Sequence, residues 1–199
     1  ILRSSRRLHP SSMMSRIGRS TRWRIIGAGA VPRCPLGSDM TERVFSYRQG
    51  EVLAETFSRH GVEYLFIGKS GAIFYGFPDT TQDTDLFPRK GADNGRRIAE
   101  ALRELGFPVD EVLLCDLIKG KDFVQIRSGP FDIDLVFAPD GIESFEDAKR
   151  RSQLIDGRFP VASLDDIIKS KKAANRRKDR ESLPRLVEFA AYLRTRRPA

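Results

Sequence analysis

The chain has 199 residues, 40% apolar and 31% charged, enough for one globular domain with room for a small helical annex, and unlike a wholly disordered chain. No run of 18 apolar residues occurs, which excludes a membrane-spanning helix and with it a membrane partner. Two distant cysteines, Cys34 and Cys115, exclude a disulfide-stapled scaffold and a cysteine-based zinc module, and they suit a reducing, cytoplasmic compartment.

The net charge of +8 is unevenly spread. Residues 1–39 hold eight arginines and one acid, Asp39, and show no helix or strand period. They read as a disordered basic tail or as sequence upstream of a start at Met40, with a nucleic-acid arm or a targeting peptide as the other readings. Residues 169–199 carry 11 basic and 3 acidic side chains, which leaves 40–168 with an excess of seven acids. An acidic body with a basic C-terminal segment suits a polyanionic substrate that meets a metal-loaded acidic site.

From Met40 the composition becomes globular. Residues 43–59 read as a helix with Val44, Val52, Leu53 and Phe57 on one face, stopped at Gly61. Residues 62–67 read as an apolar strand, 68–71 as a turn, 72–75 as the start of a short helix, and 83–87 as a second strand. Residues 93–105 form an amphipathic helix on Ile98, Ala101, Leu102 and Leu105, closed by Gly106. Segments 122–127 and 131–137 read as a hairpin. Residues 143–151 are a short helix, and Ser163-Leu164-Asp165-Asp166 opens another over 164–175. A last helix runs over 181–194, with Pro184 in its first turn. The order reads as an α/β protein, with a core over 40–140 and a C-terminal helical region over 141–199.

The chemistry should lie on two Asp-x-Asp strands. Alternate strand residues share a face, so Asp83 and Asp85 project together and repel unless a cation lies between them. Hard carboxylate oxygens suit Mg²⁺ held jointly with phosphates. Phe131–Phe137 alternates apolar residues with Asp132 and Asp134. Laid beside 83–87, it would bring three or four carboxylates to one face, as two-metal phosphoryl or nucleotidyl transfer requires. Asp134, deeper in its strand, is the better candidate. Gly68-Lys69-Ser70-Gly71 follows a strand and precedes a helix, where backbone N–H groups bind phosphate, but it lacks the spacing of a P-loop. Lys171 falls on the apolar stripe of Leu164 and Ile168; it either snorkels to the rim or faces inward toward a partner, a triphosphate or the aspartates. Arg176, Arg177, Lys178 and Arg180 form a basic turn around Asp179, readable as a solvated run or as an RNA patch. His9 and His60 have no metal-ligand company.

Phe66-Ile67-Gly68-Lys69-Ser70-Gly71-Ala72, then Tyr75-Gly76-Phe77-Pro78, then Thr81-Gln82-Asp83-Thr84-Asp85-Leu86 resembles the signature of the polymerase-β-type nucleotidyltransferases. The run from Asp165 to Asp179 resembles their C-terminal lysine helix. Over about residues 43–195 the likeness is to the short bacterial toxin–antitoxin members of the AbiE/MenT type. The resemblance implies a minimal nucleotidyltransferase fold, a mixed sheet flanked by helices, with Mg²⁺ and an NTP donor. It implies that Gly68, Lys69 and Ser70 hold the triphosphate, that Asp83, Asp85 and Asp134 bind metal, that Lys171 contacts phosphate, and that Asp179 stabilises the basic turn. It implies nucleotide transfer to the 3′ end of tRNA or another RNA by a toxin with a cognate antitoxin. The alternatives are transfer to a protein hydroxyl or an aminoglycoside-like small molecule, or a silent partner-binding relative. Two positions depart from the signature: Lys69 stands where Gly or Ser is usual, and Asp79 where relatives often carry Arg.

Overall fold

The computed structural model describes residues 44–196; the basic segment 1–39 lies outside the described residues. The first helix, α1 (Tyr47–Arg59), starts at a capping box: the Ser46 hydroxyl accepts from the Gln49 amide, and the Gln49 side chain accepts from the Ser46 amide. Leu53 and Phe57 on its inner face are fully buried. The chain then forms β1 (Tyr64–Phe66), α2 (Gly68–Phe74), β2 (Asp83–Pro88) and α3 (Ala92–Glu104). Next come α4 (Glu111–Lys119), the antiparallel pair β3 (Phe123–Ile126) and β4 (Asp132–Val136), and α5 (Phe145–Arg151). It ends with β5 (Gln153–Ile155), β6 (Phe159–Val161), α6 (Leu164–Ala174) and α7 (Arg177–Arg196).

One six-stranded mixed sheet runs in the order β3-β4-β2-β1-β6-β5. β2 is parallel to β4 and β1 to β6, and the other neighbours are antiparallel. Alternation along the strands feeds two cores. Tyr64, Phe66, Leu86, Ile133 and Leu135 pack on one face with residues of α1, α3 and α4, including Leu53, Ile98 and Leu117. Leu65 and Phe87 pack on the other with Phe145, Ile167, Leu186 and Ala190 from α5, α6 and α7. The expected α/β sheet with a helical C-terminal region is therefore what the chain forms.

Several elements differ from the sequence reading. Residues 111–119 are a helix, with Asp110 as N-cap and Gly120 in the left-handed region at its end; its nearly unbroken apolar run hid the helical period. β5 and β6 are three residues each, too short to carry a pattern, and exist because they pair with each other and with β1. Helix α2 begins at Gly68, so the turn read at 68–71 is already helical. Helix α7 begins at Arg177, so the basic run is its first turn and Pro184 lies in its interior. That placement corrects the first-turn reading: contacts of α7 with α6 outweigh the backbone hydrogen bond a mid-helix proline forgoes.

Candidate active site

The parallel pairing of β2 with β4 sets Asp83 beside Asp132 and Asp85 beside Asp134. Ile133 and Leu135 enter the core under α3, so the aspartates take the opposite face, toward α6 and α7. A cleft of about 580 Å³ opens there. Gly68, Lys69, Asp83, Asp85, Asp134, Lys171 and Asp179 all line it. Of the expected site residues, Ser70 alone does not.

The strand-to-helix turn is locked onto the acidic strand. Gly68 has φ +64°, and a β-carbon there would stand 2.6 Å from the Asp85 carboxyl carbon. Only glycine fits this close approach. The Lys69 amide donates to Asp85 Oδ2 at 3.2 Å, so the carboxylate caps the start of α2. Ser70 is fully buried; its hydroxyl accepts from the Asp85 amide at 2.9 Å and lies 3.2 Å from the Ile67 carbonyl, to which it donates. Ser70 thus positions Asp85 rather than facing the cleft, which is a correction to the expectation that its side chain meets a triphosphate. Burial, and then the Asp134 charge, push the Asp85 carboxyl up to about 6.

Asp134 is 4% exposed, and burial pushes its carboxyl upward against the pull of Arg127. Arg127 follows β3 and was read only as a hairpin residue. Its guanidinium lies 2.6 Å from Asp134, 3.5 Å from Asp83 and 3.9 Å from Asp132. Its signal was the alternation Phe123, Gln125, Arg127, which becomes informative only once Gln125 is known to sit opposite Asp134.

Lys69 and Asp79, the two positions at which the sequence differs from the signature it resembles, face each other. Lys69 Nζ lies 3.6 Å from Asp79, which also meets Arg185 of α7 at 3.4 Å. The unusual lysine thus has the unusual aspartate as its counter-charge.

The Lys171 side chain is largely buried, and its partner is Asp179 at 3.0 Å. Both side chains are nearly buried, so the pair joins α6 to the first turn of α7 at the cleft wall. Removing one member leaves the other charge unpaired and nearly buried. Asp179→Ala is expected to destabilise the protein by about 3 kcal/mol, or roughly 6–12 °C in Tm, by thermal denaturation. The double change Lys171→Met, Asp179→Leu should recover most of that loss, because it leaves no orphan charge.

Among the described residues no three acidic, histidine or cysteine side chains stand close enough to hold a metal ion as they lie. The donor chemistry nevertheless fits a hard divalent cation. Asp83 and Asp85 supply oxygens alone, share a face and line one cleft.

These features define an α/β protein with an acidic cleft on one sheet face and three cations, Lys171 of α6, Arg176 of the α6–α7 connection and Lys178 of α7, on its wall. No family model matches the chain, and no curated protein matches it in sequence. Five solved chains match in structure. One is a candidate nucleotidyltransferase from Thermotoga maritima, 14% identical at a TM-score of 0.46, the match covering 71% of this chain and 92% of that one. A likeness that distant says nothing of activity. No helix among the described residues is long and apolar enough to cross a membrane.

Proposed function

We propose that the protein is a Mg²⁺-dependent nucleotidyltransferase that moves NMP from an NTP to an RNA hydroxyl, with the tRNA 3′ end as acceptor, as the toxin of a toxin–antitoxin pair. The observation that carries the reading is the in-register pairing of the two Asp-x-Asp strands, which brings Asp83, Asp85 and Asp134 to one cleft facing Lys171. Four carboxylates on adjacent strands repel; Arg127 offsets part of that repulsion at Asp83, Asp132 and Asp134, and a bound cation would offset more.

In this reading Asp83 and Asp85 hold the cation, which when bound neutralises triphosphate charge and polarises the α-phosphorus. Gly68 and Lys69 line the same cleft and would face the triphosphate from the turn that holds Asp85. Lys171 meets the triphosphate while Asp179 fixes its position. Asp134 accepts the proton of the attacking hydroxyl; its burial favours the protonated form. The acceptor oxygen bonds to the α-phosphorus as the bond to pyrophosphate breaks, and pyrophosphate leaves.

The exposed cations at the head of α7 would hold the RNA backbone. Neutralising Arg176 and Arg177 together is expected to weaken tRNA binding across all sequences and to flatten its dependence on log salt by about one to two units. An unchanged salt slope in a filter-binding titration would remove these residues from the RNA surface.

The test of the reading is incubation of the protein with Mg²⁺, total tRNA and each α-labelled NTP in turn. Label on tRNA with one or two NTPs is the expected result and names the base. Label on protein, or on an added aminoglycoside, would replace the acceptor and keep the chemistry. No label on any acceptor would overturn the proposed activity.

A further inference from the structure

Phe123 is a large apolar side chain left 40% exposed on the edge strand β3, and it lines the acidic cleft. Its register partner is Val136, itself half-buried and part of the same lining. Residues opposite each other in an antiparallel pair share a face, so Phe123 and Val136 stand on the carboxylate face. They sit two residues along the strands from the Gln125–Asp134 pair, or about 7 Å at the rise of an extended chain. Ala138 and Pro139 continue this apolar wall beyond Val136. The polar wall, with Lys171 and Lys178, comes from α6 and α7. The cleft is therefore charged where phosphate and cation would lie and presents Phe123 and Val136 about one ribose length away, with Asp122 and Asp140 also in its lining.

A nucleoside triphosphate has that same division: a polyanion at one end, a flat aromatic base at the other, and a sugar between. An aromatic ring at the apolar end offers a stacking face to any base. We propose that Phe123 is the platform on which the base of the donor nucleotide stacks, with Val136 beside it. This rests on the nucleotide reading of the cleft. It assigns base binding to β3, a strand on which the sequence signature places nothing.

Binding of each of the four NTPs, and of inorganic tripolyphosphate as a base-free probe, would be measured by calorimetry with Mg²⁺ on the full chain and on Phe123→Ala and Phe123→Tyr. Stacking predicts that Phe123→Ala weakens NTP binding roughly tenfold or more, that Phe123→Tyr restores it, and that tripolyphosphate binding stays within about twofold in all three proteins. NTP binding unchanged in Phe123→Ala would overturn the platform while leaving the nucleotide reading intact. An equal loss for NTP and tripolyphosphate would also overturn it, by making Phe123 a support for the cleft's shape. Failure of the unaltered protein to bind any NTP would sink the nucleotide reading itself, and the platform with it.

Discussion

Asp83→Ala is expected to lower NMP transfer by on the order of a thousandfold, the scale of removing one preorganised electrostatic contact to the reacting phosphate, and to leave the fold intact or slightly more stable. Asp83 sits at the start of β2 beside Asp132, with Asp85 two residues on and Asp134 next to that. Among the described residues Asp83 has an ion pair with Arg127 at 3.5 Å, which also serves Asp134 and Asp132. Removing the Asp83 carboxylate therefore relieves repulsion at little cost in pairing. A structural aspartate would behave in the opposite way, its loss lowering Tm. The paired readouts are the labelled-NTP assay and a thermal melt without Mg²⁺. Substantial transfer by Asp83→Ala, or a large drop in its Tm, would mean that the carboxylate is not part of the chemistry.

Gly68→Ala should cost transfer about a hundredfold, the scale expected when reacting groups are displaced by an ångström, together with a loss of stability. The added methyl group would stand 2.6 Å from Asp85 Cγ and 2.9 Å from its Cβ, so the carboxylate must rotate or the turn must lift. Either motion breaks the Lys69 amide contact that aims Asp85. The left-handed φ of +64° adds about 1–2 kcal/mol of strain for a residue with a side chain. Gly76→Ala is the control: its φ is also positive, but nothing lies within 4 Å of the added carbon. Equal losses of activity in the two variants would show that backbone strain, rather than the approach to Asp85, matters at Gly68.

Some features were legible in the chain because their causes are local. Alternation in Phe131–Phe137 and the spacing of Asp83 and Asp85 depend only on the two-residue period of a strand. The opening of α6 depends on a short-range cap, the Ser163 hydroxyl accepting from the Asp166 amide at 3.1 Å. α4 also had local signals, the Asp110 cap and the Gly120 stop, but a nearly continuous apolar run between them masked the period.

Other features have causes far away in sequence. β5 and β6 are strands because their partners exist. Ser70 reads as a phosphate ligand until the fold closes over it and turns its hydroxyl to Asp85, 15 residues on. Lys69 and Asp79 read as two separate departures until their 3.6 Å approach makes them one pair.

By itself, then, the sequence determined which residue types could do the chemistry and which of them share a strand face or a helix stripe, because backbone period fixes side-chain direction. Only the tertiary structure decided that β2 and β4 lie side by side in register, that Arg127 reaches three of the aspartates, and that Lys171 answers to Asp179. Those are choices among long-range pairings, made by burying Ile133, Leu135, Leu86 and Phe66 in one core. The energy of that burial belongs to the assembled sheet and to no segment of the chain.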